Sequence, residues 1–155
     1  MAFEFSVHVP VLPTQLLSAN KIAEGMTSKR ARGAINAERQ ELRSATVQMV
    51  QSLYAPSDIP VAPKGTPIYI TATLVHTFKR PGDGLYRPKD PSNIGGHIVK
   101  GPIDALVDLG IIDDDAAVCA GGPVQYVILA IDKCRYLRDE GLRLRVDLAG
   151  AEQDA

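Results

Sequence analysis

The chain carries eleven prolines, yet none falls between Ser28 and Tyr54. Proline removes a backbone donor and clashes with the preceding helical turn, so a long helix must lie where prolines do not. Ala, Glu, Arg and Gln are frequent in this stretch, and Leu42, Ala45, Met49 and Leu53 recur at three- and four-residue steps. That spacing is the apolar stripe of an amphipathic helix. Lys29, Arg30, Arg32, Arg39 and Arg43 share the segment. They are expected mostly on its outer face, as a solvated surface or as one that contacts phosphate.

Elsewhere the apolar period is two. Phe3, Phe5, Val7 and Val9 alternate with polar or small residues until Pro10 and Pro13 end the run. Ile68, Ile70, Ala72 and Leu74 alternate with Tyr69, Thr71 and Thr73, and Leu142, Leu144, Val146 and Leu148 alternate with Arg143, Arg145 and Asp147. Both runs are expected as strands. Val124 to Ile131 is nearly continuously apolar after the Gly121-Gly122-Pro123 turn and is expected as a buried strand. Ile94, Ile98, Ile103, Leu106 and Leu109 fit a helix starting near Ile94 with Asn93 as its cap. Pro102 should kink that helix or open a second piece of it, and Gly110 should end it. Residues 16–25, the proline-rich stretch 56–67 and the stretch from Lys79 to Asn93 are expected as loops.

The predicted order is strand, long helix, strand, helix, strand, strand. The economical architecture is α/β of the mixed α+β kind, with a single mixed sheet packed by one long helix and one shorter, proline-interrupted helix. At 155 residues, 45% hydrophobic and 23% charged, the chain suits one domain over residues 1–149 with a short polar tail at 150–155.

Several function classes lose support at once. No apolar run approaches the roughly 20 residues that cross a bilayer, and the first residues show no basic region followed by an apolar one, so a cytoplasmic protein without membrane partners is expected. Cys119 and Cys134 are too few and too distant for a zinc or redox pair and are expected as reduced thiols. Gly95-Gly96 lacks the context of a nucleotide-binding loop. His8 and His76 sit in strand-like runs and are expected at the core edge or surface. The net charge of −1 decides nothing about nucleic acid, but its distribution is uneven. Lys79, Arg80, Arg87, Lys89 and Lys100 face only Asp83 and Asp90 in one segment, whereas Asp113, Asp114 and Asp115 gather in another.

The informative stretch runs from Arg87 to Asp115, RPKDPSNIGGHIVKGPIDALVDLGIIDDD. It offers a loop carboxylate, a lysine, and a carboxylate cluster beyond a helix. Hard cations such as Mg²⁺ take oxygen ligands and keep several waters, so carboxylates from separate segments can hold one. A nearby lysine would offset charge on a phosphoryl transition state. The competing reading of Asp113–Asp115 is a solvated turn.

This stretch resembles the RusA family of Holliday-junction resolvases, whose pattern runs D-x-D-N, then a lysine, then D-A-L, then a glycine leading to a D-D pair. Here Asp90-Pro-Ser-Asn93, Lys100, Asp104-Ala-Leu106, Gly110-Ile-Ile and Asp114-Asp115 stand at those places, and Leu17-Ser-Ala-Asn20 is similar to an element in phage and actinobacterial relatives. The resemblance implies a Mg²⁺-dependent (or Mn²⁺-dependent) endonuclease acting on branched DNA as a homodimer. It implies Asp90 and Asp115 as metal-binding carboxylates, Asp114 as an auxiliary ligand, and Lys100 near the scissile phosphate. Lys79, Arg80, Arg87 and Lys89 would contact DNA and Asn93 would hold the loop, while Asp104, one helical turn after Lys100, is expected to orient the lysine or to cap a helical piece after Gly101-Pro102. Ser92 departs from the pattern, because a neutral hydroxyl stands where the family has its second loop aspartate. His97, in a spacer longer than the pattern's, is a candidate to compensate as ligand or base. The alternative is a relative that binds branched DNA without cutting it.

Overall fold

The computed structural model describes residues 3–11, 29–77 and 97–149. Four strands, β1 (Phe5–Val9), β2 (Ile68–Thr77), β3 (Val124–Cys134) and β4 (Gly141–Leu148), form one mixed sheet in the order β1-β4-β2-β3. β4 runs antiparallel to both β1 and β2, and β3 runs parallel to β2. Two helices, α1 (Lys29–Leu53) and α2 (His97–Asp108), complete an α+β fold in the predicted element order.

Register explains why the period-two runs converge. Phe5 pairs with Val146 and Val146 with Ile70; Val7, Leu144 and Ala72 make the next row; Val9, Leu142 and Leu74 make the third. All nine side chains are buried on one face. Leu42 and Val50 of α1, with Ile98, Ile103 and Leu106 of α2, close the core with them. Each such side chain, fully removed from water, contributes about 1.5–3 kcal/mol. The opposite face carries Ser6, His8, Arg143, Arg145, Tyr69, Thr71 and Thr73 at the alternate register positions, and Tyr69 stacks on Tyr126 of β3 at 4.3 Å.

Three expectations need correction. Among the described strands β3 lies at the end of the sheet, and Tyr126, Val127 and Ile128 are exposed rather than buried. An apolar run reads alike whether a neighbouring strand covers it or not. His76 is fully buried, because it shares the inner face with Leu74 at the end of β2. Arg39 and Arg43 do not lie on the outer surface of α1; both reach across to α2.

α2 is one continuous helix, with Pro102 in its interior. The region around Asn93 and Ile94 lies outside the described residues. The helix ends at Gly110, whose φ of 75° lies in the left-handed region that an L side chain avoids. There the Gly110 amide donates to the Val107 carbonyl and the Ile111 amide donates to the Leu106 carbonyl, both at 3.0 Å. This paired arrangement is a Schellman cap, and Leu106 and Ile111, both fully buried, provide the apolar contact that accompanies it. The cap turns the chain back along α2 and fixes where the following aspartates sit. Among the described residues, no helix is long and apolar enough to cross a membrane.

Candidate functional site

Gly101 and the two helices' side chains set the geometry of the region around Lys100. A Cβ placed on Gly101 would lie 2.3 Å from the Arg39 carbonyl oxygen, so only glycine lets the two helices approach this closely. At that crossing two arginine–aspartate rungs join α1 to α2. The Arg39 guanidinium donates from Nε (3.2 Å) and from an Nη (2.7 Å) to one oxygen of Asp104. Arg43 donates to both oxygens of Asp108, at 2.6 and 2.7 Å. The spacing of four residues on each helix, 39 to 43 and 104 to 108, puts both pairs on facing stripes.

Asp104 has a second function in this arrangement. Its Oδ2 is taken by Arg39, and its Oδ1 lies 3.4 Å from the ammonium of Lys100, one turn earlier on α2. Lys100 also donates to the carboxylate of Asp115. Asp115 comes from beyond the Schellman cap, and the buried pair Ile111-Ile112 pins the intervening loop to the core. The Ala62 amide donates to the Ile111 carbonyl at 2.8 Å and holds the same loop from the other side. Lysine and carboxylate fifteen positions apart in sequence are thus brought together by a helix end.

Side-chain exposure separates the roles within the cluster. Asp104 is only 14% exposed and is fixed by two cations, whereas Lys100 at 45% and Asp115 at 32% face solvent. The hydrogen bond from Lys100 holds the Asp115 carboxyl below the usual carboxylate range, against a smaller opposing effect of burial. The bond to Asp115 raises the Lys100 ammonium in turn, with Asp104 adding to it. Both groups are therefore charged at neutral pH. Arg43 and Asp108 shift each other in the same sense, Arg43 upward and Asp108 downward.

Asp114 accepts a weak bond (3.3 Å) from the Ala116 amide, an Asx-type turn, and Asp113 is exposed. Arg39, Arg43 and Lys100 oppose Asp104, Asp108, Asp113, Asp114 and Asp115, so the cluster carries two more negative charges than positive ones. Its oxygen donors are those a hard divalent cation takes. Among the described residues no group of three candidate ligands converges; Asp104 and Asp108 are tied to arginines, which leaves Asp113, Asp114 and Asp115 as the described donors of suitable chemistry.

The remaining site candidates are divided by what the structure describes. Lys100, Asp104, Asp114 and Asp115 are brought into one neighbourhood. Asp90, Ser92, Asn93, Lys79, Arg80, Arg87 and Lys89 lie outside the described residues, and for His97 the helical backbone alone is described. Sequence reasoning missed Arg39, Arg43 and Asp108 as members of this cluster. Matched four-residue spacings of opposite charge on two helices expected to pack were the available signal. No protein-family model matches the chain, and no curated protein matches it.

Proposed function

We propose that this chain is a divalent-cation-dependent endonuclease of RusA type, acting on branched DNA as a homodimer in the cytoplasm. The observation that carries the proposal is the exposed Lys100–Asp115 pair, held by Asp104 and Arg39 at the mouth of an acidic cluster. A bound Mg²⁺ or Mn²⁺ would supply a Lewis acid for the phosphate and a site for the attacking water. Asp115 and Asp114 would hold it, joined by Asp90, with Ser92 or His97 as further donors.

The roles of the protein's own residues follow from their charge states. Lys100 stays protonated, so it serves as a fixed cation beside the phosphate and not as a general base. Asp115 stays ionised and available as an oxygen donor. Asp104, tied to Arg39, restricts where the Lys100 ammonium can swing and is a positioning residue. Lys79, Arg80, Arg87 and Lys89 would gather phosphate contacts and read junction shape with limited base readout.

A second reading has one observation in its favour. Lys100 and Asp115 neutralise each other directly, which is also what a structural ion pair does. With Ser92 in place of an aspartate, the chain would then bind branched DNA without cutting it.

Cleavage of a labelled synthetic four-way junction with Mg²⁺ or Mn²⁺, beside Asp115→Asn and Lys100→Met, tests both readings. Metal-dependent nicking that both substitutions abolish is expected. Tight, salt-sensitive junction binding without nicking in either metal supports the binding module. Equal affinity for branched and linear DNA at every salt concentration rules out both.

A further inference from the structure

The turn between β3 and β4 carries two arginines backed by a tyrosine. Arg135, Tyr136, Leu137 and Arg138 are all exposed, Tyr136 at 48% and Leu137 at 64%. The Arg138 guanidinium carbon lies 4.6 Å from the centroid of the Tyr136 ring, and that of Arg135 lies 5.7 Å from it. Both are within cation–π range, so one ring braces two cations and holds them side by side.

Four other arginines are answered by carboxylates: Arg39 by Asp104, Arg43 by Asp108, Arg143 by Asp132 and Arg145 by Asp147. Among the described residues neither Arg135 nor Arg138 has a carboxylate partner. Asp139 is exposed in the same turn, yet both guanidiniums lie against the ring. The carboxylate of the next residue, Glu140, is taken up by the amide and hydroxyl of Thr77.

The turn is held firmly as well as exposed. The Asp139 amide donates to the Tyr136 carbonyl at 3.0 Å and the Glu140 amide to the Leu137 carbonyl at 3.1 Å, closing one tight turn over Leu137–Asp139. The Cys134 thiol donates to the same Tyr136 carbonyl at 3.4 Å. Glu140 is buried, and its bonds to Thr77 tie the turn to the end of β2. A surface fixed in this way gives up little freedom when it binds.

We propose that Arg135 and Arg138, braced on Tyr136, form a phosphate clamp that grips a nucleic-acid backbone at a distance from the Lys100–Asp115 pair. The planar fork of a guanidinium matches phosphate oxygens two at a time, and stacking on a ring leaves its edge donors available. Two such forks side by side suit neighbouring phosphates of one strand. A membrane surface is disfavoured, because Leu137 is the one aliphatic side chain among the turn's four exposed residues. The choice of nucleic acid as the partner rests on the nuclease reading.

The clamp's position defines its reach. Asp115 precedes Ala116, whose carbonyl accepts from the Val124 amide at the start of β3, whereas Arg135 follows Cys134 at its end. The eleven residues of β3, at about 3.3 Å each, set the two about 35 Å apart. That is about one helical turn of duplex. The clamp would hold an arm about that far from the cleaved phosphate, fixing its direction without reading its bases.

The test is the affinity of the full chain for a labelled four-way junction with arms of about two helical turns, by fluorescence anisotropy in EDTA. Salt is varied from about 50 to 200 mM, on the parent, the double variant Arg135→Ala/Arg138→Ala, Tyr136→Ala and Tyr136→Phe, with far-UV circular dichroism to check folding. The double variant should bind at least about tenfold more weakly, with its slope of log affinity against log salt reduced by about 2. Tyr136→Phe keeps the ring and should match the parent, whereas Tyr136→Ala should lose part of the affinity. In the parent, the arginine Nε–H resonances of Arg135 and Arg138 should shift when the junction is added. A salt slope unchanged in the double variant, or resonances that the junction leaves in place, overturns the proposal. Capture of the parent, but not the double variant, by phosphatidylserine–phosphatidylcholine vesicles, with equal DNA affinity in both, overturns it in favour of a membrane. Nicking with an unchanged slope would keep the nuclease and remove the clamp; a reduced slope without nicking in Mg²⁺ or Mn²⁺ would do the reverse.

Discussion

Replacing Gly101 by alanine tests the helix crossing that holds the candidate site together. The new Cβ would sit 2.3 Å from the Arg39 carbonyl oxygen, with the Arg39 carbonyl carbon and the Arg43 amide nitrogen each at 3.2 Å. The first of these is about 1 Å short of ordinary contact, and all three neighbours are helix backbone, which cannot swing aside as a side-chain tip would. The helices must separate or α2 must rotate. Overpacking of this kind typically costs about 1–3 kcal/mol, and a rigid backbone obstacle places it near the upper end. Alanine's better helix propensity returns roughly 0.5–1 kcal/mol. The net expectation is a loss of about 2 kcal/mol, which for a chain of this size lowers the melting midpoint by about 4–8 °C. Gly33 supplies the control, because it is exposed on α1 and a Cβ there meets nothing within 4 Å. Gly33→Ala should show the propensity gain alone, a stabilisation of about 0.5–1 kcal/mol. Urea unfolding of parent and both variants, followed by far-UV circular dichroism, measures the two shifts. If the two alanines move the midpoint in the same direction by similar amounts, the close approach of α1 and α2 is wrong, and so is the placement of Lys100 that depends on it.

Two further outcomes follow from the same structure. The Asp115 carboxyl, followed by carbon NMR, should titrate below the ordinary carboxylate range and return toward it in Lys100→Met, because Lys100 is the main cause of its depression. A depressed carboxylate contributes stability above its unfolded pKa, near 3.9, and loses it as pH falls through the folded value. The acid limb of the parent's stability curve should accordingly be steeper than that of Lys100→Met, and identical limbs would refute the pair. Glu140 is buried where the chain crosses from β3 to β4, and one of its carboxylate oxygens accepts from the Thr77 amide at 2.7 Å and the Thr77 hydroxyl at 2.9 Å. Glu140→Ala should cost about 1–3 kcal/mol by orphaning that amide, whereas Glu140→Gln should recover most of it; equal losses in thermal melts would show that acceptance by the side-chain oxygen is not what matters.

The fold was legible wherever a local rule had only one physical outcome. A proline-free amphipathic stretch can only be helix, strict alternation can only be a half-covered strand, and Gly110 before an apolar pair ends a helix in a left-handed cap. The site was legible in part for the same reason: the cap that Gly110 and Ile111 encode is what carries Asp115 to Lys100. What escaped was everything set by the partner of an element rather than by the element. Val124–Ile131 reads the same in the middle of a parallel sheet and at its edge, because the run records only that apolar surface is to be covered and not by what. Arg39 and Arg43 read the same on a solvated face and in a helix seam, because a charged residue on an amphipathic helix does not announce the opposing charge. Both errors have one remedy, which is to ask what faces the residue. For the arginines the answer lies within the chain, at Asp104 and Asp108. For β3 the described sheet supplies β2 on one side, against which Val124 is buried, while Tyr126, Val127 and Ile128 keep much of their surface in solvent.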